Sequence, residues 1–132
     1  MGRRLILDSG FLIAYERGAV DRSLIRDDEL AIAAITIAEY RTGIELADSA
    51  DRAAERARAI TAIMASVEVL DYTPTTAAHH ARLLADVRRA GRPRGAHDLI
   101  IAAHALETGR LVLTLDAAAR FGGLPGVAAI VL

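Results

Sequence analysis

The chain has 132 residues, of which 53% are hydrophobic, 25% charged and 4% aromatic, and its formal net charge is −1. A chain of this length is expected to fold as one domain, residues 1–132, without disulfides or structural metals, and the absence of cysteine removes disulfides, thiolate zinc sites and thiol nucleophiles. All 16 basic residues are arginine. No phosphate-binding Gly-Lys-Ser/Thr loop or Schiff-base amine is therefore available, and the near-neutral charge confines any nucleic-acid contact to a local basic surface.

At the amino terminus, Met1-Gly2-Arg3-Arg4-Leu5-Ile6-Leu7-Asp8 has too short an apolar stretch for a signal-peptide core, and Ile6 breaks the myristoylation pattern. The longest apolar run, residues 30–38, falls short of a membrane span. A cytoplasmic protein without a membrane segment is expected. Leu5-Ile6-Leu7 predicts a buried first strand, followed by a helix over residues 9–17 stopped by Gly18. A short helix is expected at 21–26, a second strand at 30–35, and a helix at 36–46 with Ile37, Tyr40 and Ile44 along one face.

Residues 51–65 predict a helix rich in Arg and Ala, and 67–70 a strand. Thr73-Pro74-Thr75 marks the entrance of a helix whose apolar face is Ala81, Leu84 and Val87. Glycines and a proline punctuate 91–95, after which 97–108 is apolar nearly all round, the pattern of a helix packed centrally on a sheet and closed by Gly109. A fourth strand is expected at 111–113, a short helix at 117–121 and an edge strand at 127–132. Alternating strands and helices without a long linker or repeat imply an α/β fold, a parallel sheet with helices on both faces.

Four carboxylates, Asp8, Glu39, Asp98 and Asp116, each fall where an apolar run ends or a helix begins. In a parallel sheet those positions converge on one rim, so distant residues can share a pocket. Each acid also has a local explanation. Thr36-Ile37-Ala38-Glu39 fits a capping box; Asp98 in a first turn gains about 0.3 to 1 kcal/mol from the helix dipole; Asp116 could cap a helix. Asp8 is the exception, because a carboxylate directly after a buried strand is costly without a partner. Two unit charges about 4 Å apart repel by roughly 4 kcal/mol at an effective dielectric of about 20. If the four share a pocket, some must protonate or a cation must neutralise them. Oxygen ligands without Cys or a His-x-x-x-His pair favour Mg²⁺ or Mn²⁺ over zinc. Such a cation can activate water and stabilise the leaving oxygen of a phosphodiester, which points to hydrolysis of a nucleic-acid backbone.

Four segments carry a resemblance: Leu7-Asp8-Ser9-Gly10-Phe11-Leu12-Ile13-Ala14, Ile35-Thr36-Ile37-Ala38-Glu39-Tyr40-Arg41-Thr42-Gly43, His97-Asp98-Leu99-Ile100-Ile101-Ala102-Ala103-His104-Ala105 and Leu113-Thr114-Leu115-Asp116, with Phe121-Gly122-Gly123-Leu124-Pro125-Gly126-Val127 as a similar ending. In this order and spacing the chain resembles a PIN-domain ribonuclease of the VapC toxin type over essentially its full length. The resemblance implies a PIN-like three-layer sandwich, with a central parallel sheet of four to five strands flanked by helices. It also implies Mg²⁺-dependent endonucleolytic cleavage of RNA, inhibition by a VapB-type antitoxin, and a homodimer.

By the same resemblance, Asp8 and Asp98 match the family's most direct metal ligands, and Glu39 and Asp116 its remaining acids. Ser9 and Thr114 match small hydroxyl positions that hold a carboxylate or a metal-bound water. Gly10 departs from the Ser, Thr or Asn common there, which implies one lost polar contact to substrate and weaker or more metal-dependent activity. Two other readings stay open: a housekeeping PIN nuclease of RNA maturation, and a non-catalytic PIN-like binding module.

Arg88, Arg89, Arg92 and Arg94 precede the Asp98 helix, where guanidinium groups could grip RNA phosphates or form a solvated loop. Arg52, Arg56 and Arg58 read as the exposed side of a helix. His97 and His104 stand two helical turns apart. Most of the five aromatics, Phe11, Tyr15, Tyr40, Tyr72 and Phe121, are expected to pack internally, which leaves little stacking for bases. Phe11, Leu12, Tyr15, Ile37, Tyr40 and Ile44 read as core or, by resemblance, as part of an antitoxin groove.

Overall fold

Leu5, Ile6 and Leu7 are fully buried because their strand, β1 (Arg4–Leu7), runs down the middle of a sheet covered on both faces. The computed structural model describes residues 2–132. The other strands are β2 (Glu29–Ala33), β3 (Glu68–Leu70), β4 (Leu111–Thr114) and β5 (Ala129–Val131); the helices are α1 (Ser9–Glu16), α2 (Ala34–Glu45), α3 (Ala50–Ser66), α4 (Pro74–Ala90) and α5 (Ala96–Thr108). The sheet has the order β3-β2-β1-β4-β5 with every pair parallel. Chain order reverses direction between β1 and β4, and a crevice at the carboxyl ends of those strands is the favoured place for a site.

Side-chain alternation assigns the layers. Leu5, Leu7, Ile32 and Leu113 pack with Phe11 and Leu12 of α1, Tyr40 of α2, and Ile60 and Ile63 of α3. Ile6, Ala31, Ala33 and Val112 face Leu83 of α4 and Leu99, Ile101, Ala102, Ala103 and Ala105 of α5. The result is a three-layer α/β/α sandwich with five strands. The alanines of α5 let it lie close against the sheet. Thr76, near the start of α4, donates to Glu107, near the end of α5, so the two helices are antiparallel and the loop between them returns the chain to the rim where α5 begins.

Several boundaries differ from expectation. The second strand ends at Ala33 and α2 starts at once, two residues before the expected entrance. The expected helix at 21–26 is a 3-10 turn, Arg22–Ile25, whose Asp21 side chain accepts from the Ser23 amide. Residues 117–121 form no single helix but two 3-10 turns, Ala117–Ala119 and Phe121–Gly123, broken at Arg120. On α4 the buried residues are Thr76 and Leu83, with Leu84 and Val87 half-buried against the core as expected; Ala81 is exposed. Among the described residues no helix is long and apolar enough to cross a membrane.

At the opposite rim Arg110, just ahead of β4, has a side chain only 1% exposed. Its Nη2 donates to Glu68 Oε2 at 2.7 Å and to Glu29 Oε1 at 3.3 Å, tying together the starts of β3 and β2.

Candidate active site

β1 delivers Asp8 directly to the start of α1, where it is the N-cap: Oδ1 accepts from the Phe11 amide at 2.8 Å. The other oxygen, Oδ2, accepts from Thr114 Oγ1 at 2.5 Å. Thr114 is buried at the end of β4, and its hydroxyl oxygen also accepts from the Asp116 amide at 2.9 Å. Asp116 in turn caps the following 3-10 turn, accepting from the Ala118 amide at 2.9 Å. The neighbouring strands β1 and β4 thus place Asp8, Thr114 and Asp116 in one connected group.

Glu39 belongs to a second group. It lies in the second turn of α2 and turns towards α1, where Ser9 Oγ donates to its Oε1 at 2.6 Å. His97 Nδ1 lies 3.1 Å from the same oxygen, and among the described residues none bonds to Oε2. His97 adjoins Asp98 in the first turn of α5. The Asp98 carboxylate folds back over Gly95, where an added Cβ would stand 3.0 Å from Oδ2. A side chain there would press on the Asp98 carboxylate and shift it.

The electrostatics join the two groups. Burial pushes the Asp8 carboxyl above the ordinary range; its bonds from Thr114 and Phe11 oppose the rise, and the charges of Asp116 and Glu39 add to it. Burial also raises Asp98, reinforced by Asp8, Asp116 and Glu39 and offset by His97. The structure therefore brings all four predicted acids to one rim. Among the described residues, no three His, Asp or Glu side chains close round a common point as a preformed cage. The donor set nevertheless fits a hard, hydrated dication: carboxylate oxygens, a repulsive excess of negative charge, and no soft ligand. Mg²⁺ keeps several waters and needs few direct protein contacts.

Other expectations are redistributed. The capping-box explanation of Glu39 fails, because α2 is N-capped by Ala33 with no side-chain bond and Thr36 is buried inside the helix without a hydrogen-bond partner. Arg88, Arg89 and Arg92 are exposed at the end of α4 and in the next loop. Arg94 departs from that set. It is half-buried, and its Nη1 donates to the carbonyls of Ala119 at 2.8 Å and Arg120 at 2.6 Å. Arg52 and Arg58 are exposed as expected, whereas Arg56 donates to the Gly43 carbonyl at 2.7 Å and ties α3 to α2. His104 is buried against Tyr72, far from the exposed His97 in environment. Phe11, Leu12 and Tyr40 are core, with Tyr15, Ile37 and Ile44 packed half-buried against them.

Gly10 is exposed, and a Cβ there would rest in ordinary contact, 3.8 Å from Asp8 Oδ1. Its missing side chain is therefore no steric necessity. Sequence reasoning missed the Arg94 contacts, the Gly95 cradle and the link from His97 to Glu39. Only the glycine on the amino side of the Asp98 helix hinted at any of them. A cleft of about 680 Å³ lies beside the starts of β2 and β3, lined by Tyr15, Arg22, Ile25, Leu30, Glu29 and Glu68 among others, and none of the four acids lines it.

The PIN domain family profile matches residues 5–121. The chain belongs to the PIN-domain family. Among its PIN relatives, "Ribonuclease VapC5" of Mycobacterium tuberculosis is 33% identical over 126 residues, covering 95% of this chain and 90% of the relative. The "tRNA(fMet)-specific endonuclease VapC" of Shigella flexneri is 29% identical over 106 residues, covering 79% of this chain and 78% of the relative. The PIN fold also superimposes on a chain of the solved structure of DNA-bound VapBC from Salmonella typhimurium with a TM-score of 0.83 at 26% identity, covering 98% of each chain.

Proposed function

We propose that this PIN-domain protein is a cytoplasmic, metal-dependent endoribonuclease, the toxin half of a VapBC-type toxin–antitoxin pair. The observation that carries the reading is the convergence of Asp8, Glu39, Asp98 and Asp116 on one rim, where burial and mutual charge raise the carboxyls of Asp8 and Asp98. Relatives named as VapC ribonucleases support the reaction class, and the likeness to a VapBC complex supports a VapB-type antitoxin as partner. A homodimer is part of the same reading.

In this mechanism Asp8, Glu39, Asp98 and Asp116 would hold Mg²⁺ or Mn²⁺. When bound, the cation supplies an activated water and neutralises charge on the phosphodiester being cleaved. Thr114 and the Phe11 amide fix both oxygens of Asp8, so that acid meets its ligand without reorganising. Ser9 and His97 hold one oxygen of Glu39 and leave the other available to the cation. Exposed Arg88, Arg89 and Arg92 neutralise RNA phosphates at the flank of the site.

The test is cleavage of RNA by purified protein with Mg²⁺ or Mn²⁺, with a tRNA as the first substrate offered because the Shigella relative's name specifies one. Asp8→Asn and Asp98→Asn should abolish cleavage while leaving the fold and antitoxin binding largely intact. Retained metal-dependent cleavage in purified Asp8→Asn protein refutes the assignment. Mapping new RNA 5′ ends after induced expression, native chain against Asp98→Asn, then names the target.

A further inference from the structure

The segment that follows Asp116 needs outside support. Its two 3-10 turns meet at Arg120, whose backbone is left-handed at φ 48°. Among the described residues Arg120 alone adopts positive φ without being glycine. A residue with a Cβ pays for that conformation and keeps it only where its surroundings over-determine it. Arg94 provides the constraint. The two hydrogens of its Nη1 go to the carbonyls of Ala119 and Arg120, on the two peptides that flank the kink.

The contact has a shape as well as a charge. Arg94 Nη2 passes so close to Gly123 that a Cβ there would stand 3.0 Å away. The turn it braces is fastened to Asp116 through the Ala118 amide, and Asp116 is fastened through Thr114 to Asp8. Arg94 itself sits directly before Gly95, the N-cap of the helix that carries Asp98. One side chain therefore connects the segment launching Asp98 to the segment holding Asp116.

We propose that Arg94 is a positioning residue for the acidic rim, bracing the Arg120 turn so that Asp116 stays registered against Thr114 and Asp8, and that it does not act as an RNA ligand. Its kinetic consequence rests on the nuclease reading. The brace itself is a property of the free protein.

The test compares wild type, Arg94→Ala, Arg94→Lys and Gly123→Ala by amide hydrogen exchange without metal or RNA, after circular dichroism confirms that each folds. Gly123→Ala keeps the arginine but pushes a methyl into its path. The Asp116 and Ala118 amides should exchange faster in Arg94→Ala and Gly123→Ala, while Arg94→Lys, which retains donors for both carbonyls, should fall between them and wild type. In steady-state cleavage with Mg²⁺ or Mn²⁺, Arg94→Ala should lower kcat by roughly ten- to a hundredfold, the scale of a small misplacement of a catalytic group, with KM for RNA unchanged. Arg92→Ala should instead raise KM. Unchanged exchange at both amides in Arg94→Ala overturns the brace, as does a raised KM with unchanged kcat. If wild-type protein cleaves no RNA, the nuclease reading fails and the exchange data still decide the brace.

Discussion

Thr114 Oγ1 stands 2.5 Å from Asp8 Oδ2 and 2.9 Å from the Asp116 amide, so one buried hydroxyl fastens the first and last acids of the chain to each other. Thr114→Val keeps the side-chain shape and removes both bonds, leaving the Asp8 oxygen and the Asp116 amide unsatisfied. The expected loss is about 1 to 3 kcal/mol in a urea titration, with Thr114→Ser recovering most of it. A midpoint unchanged in Thr114→Val would mean that the hydroxyl is dispensable.

Folding raises the pKa of Asp8 and of Asp98. An acid of this kind stabilises the folded state while protonated; the contribution is lost as pH climbs from about 4, the unfolded value, through the raised folded value. At pH 7 in chelator both groups therefore work against folding. Asp98→Asn should melt higher than wild type under those conditions, and the gap should narrow towards pH 4. Mg²⁺ should reverse the order by stabilising wild type alone, by about 1.4 kcal/mol at about ten times its Kd. Differential scanning calorimetry with and without Mg²⁺ reads both effects, and a variant that melts lower than wild type in chelator contradicts them.

His104 has the opposite dependence. Its ring is buried beside Tyr72, its Nδ1 has no hydrogen-bond partner, and Glu107 lies 3.8 Å away. Burial lowers its pKa, opposed by Glu107 and Asp71 and assisted slightly by His80. A base depressed on folding contributes nothing unfavourable above about pH 6.5, its unfolded value, and destabilises the fold as pH falls below it. His104→Leu should lose less stability than wild type between pH 7 and mildly acid conditions. Parallel slopes in urea titrations at each pH would remove His104 from that account.

Arg110 supports the fold from the far rim. Its buried guanidinium pairs with two half-exposed acids, Glu29 and Glu68. Arg110→Met keeps the aliphatic packing, deletes the buried charge and leaves Glu29 and Glu68 exposed enough to be solvated. Glu68→Ala strands the cation with Glu29 alone at 3.3 Å and should cost about 1 to 3 kcal/mol. Chemical denaturation should therefore rank Glu68→Ala below Arg110→Met; the reverse order would show that the pair itself stabilises the fold.

The layers and the acids were legible because both follow from local pattern. Unbroken apolar runs at Leu5-Ile6-Leu7 and Leu111-Val112-Leu113 announce buried parallel strands, and Asp8 directly after the first is hard to explain without a partner. Glu39 was ambiguous for a physical reason. Thr-x-x-Glu is the same string whether a helix begins at the threonine or earlier, and here β2 runs into α2 at Ala34 with no capping residue to mark it. Arginines pose a similar difficulty. Arg88, Arg92, Arg94 and Arg110 look alike in sequence, and only distant partners separate a solvated side chain from a brace: carbonyls at Ala119 and Arg120 for one, carboxylates at Glu29 and Glu68 for another. The bent segment after Asp116 reads in sequence as one short helix because nothing local requires Arg120 to turn left-handed.

β1 has two neighbours, and they are synthesised far apart: β2 follows almost immediately, but β4 begins only at Leu111. A nascent chain on the ribosome therefore carries Asp8 beside an open strand edge, with neither Thr114 nor Asp116 yet made. The acidic rim therefore closes late, only once β4 has docked on β1 and brought Thr114 and Asp116 to Asp8.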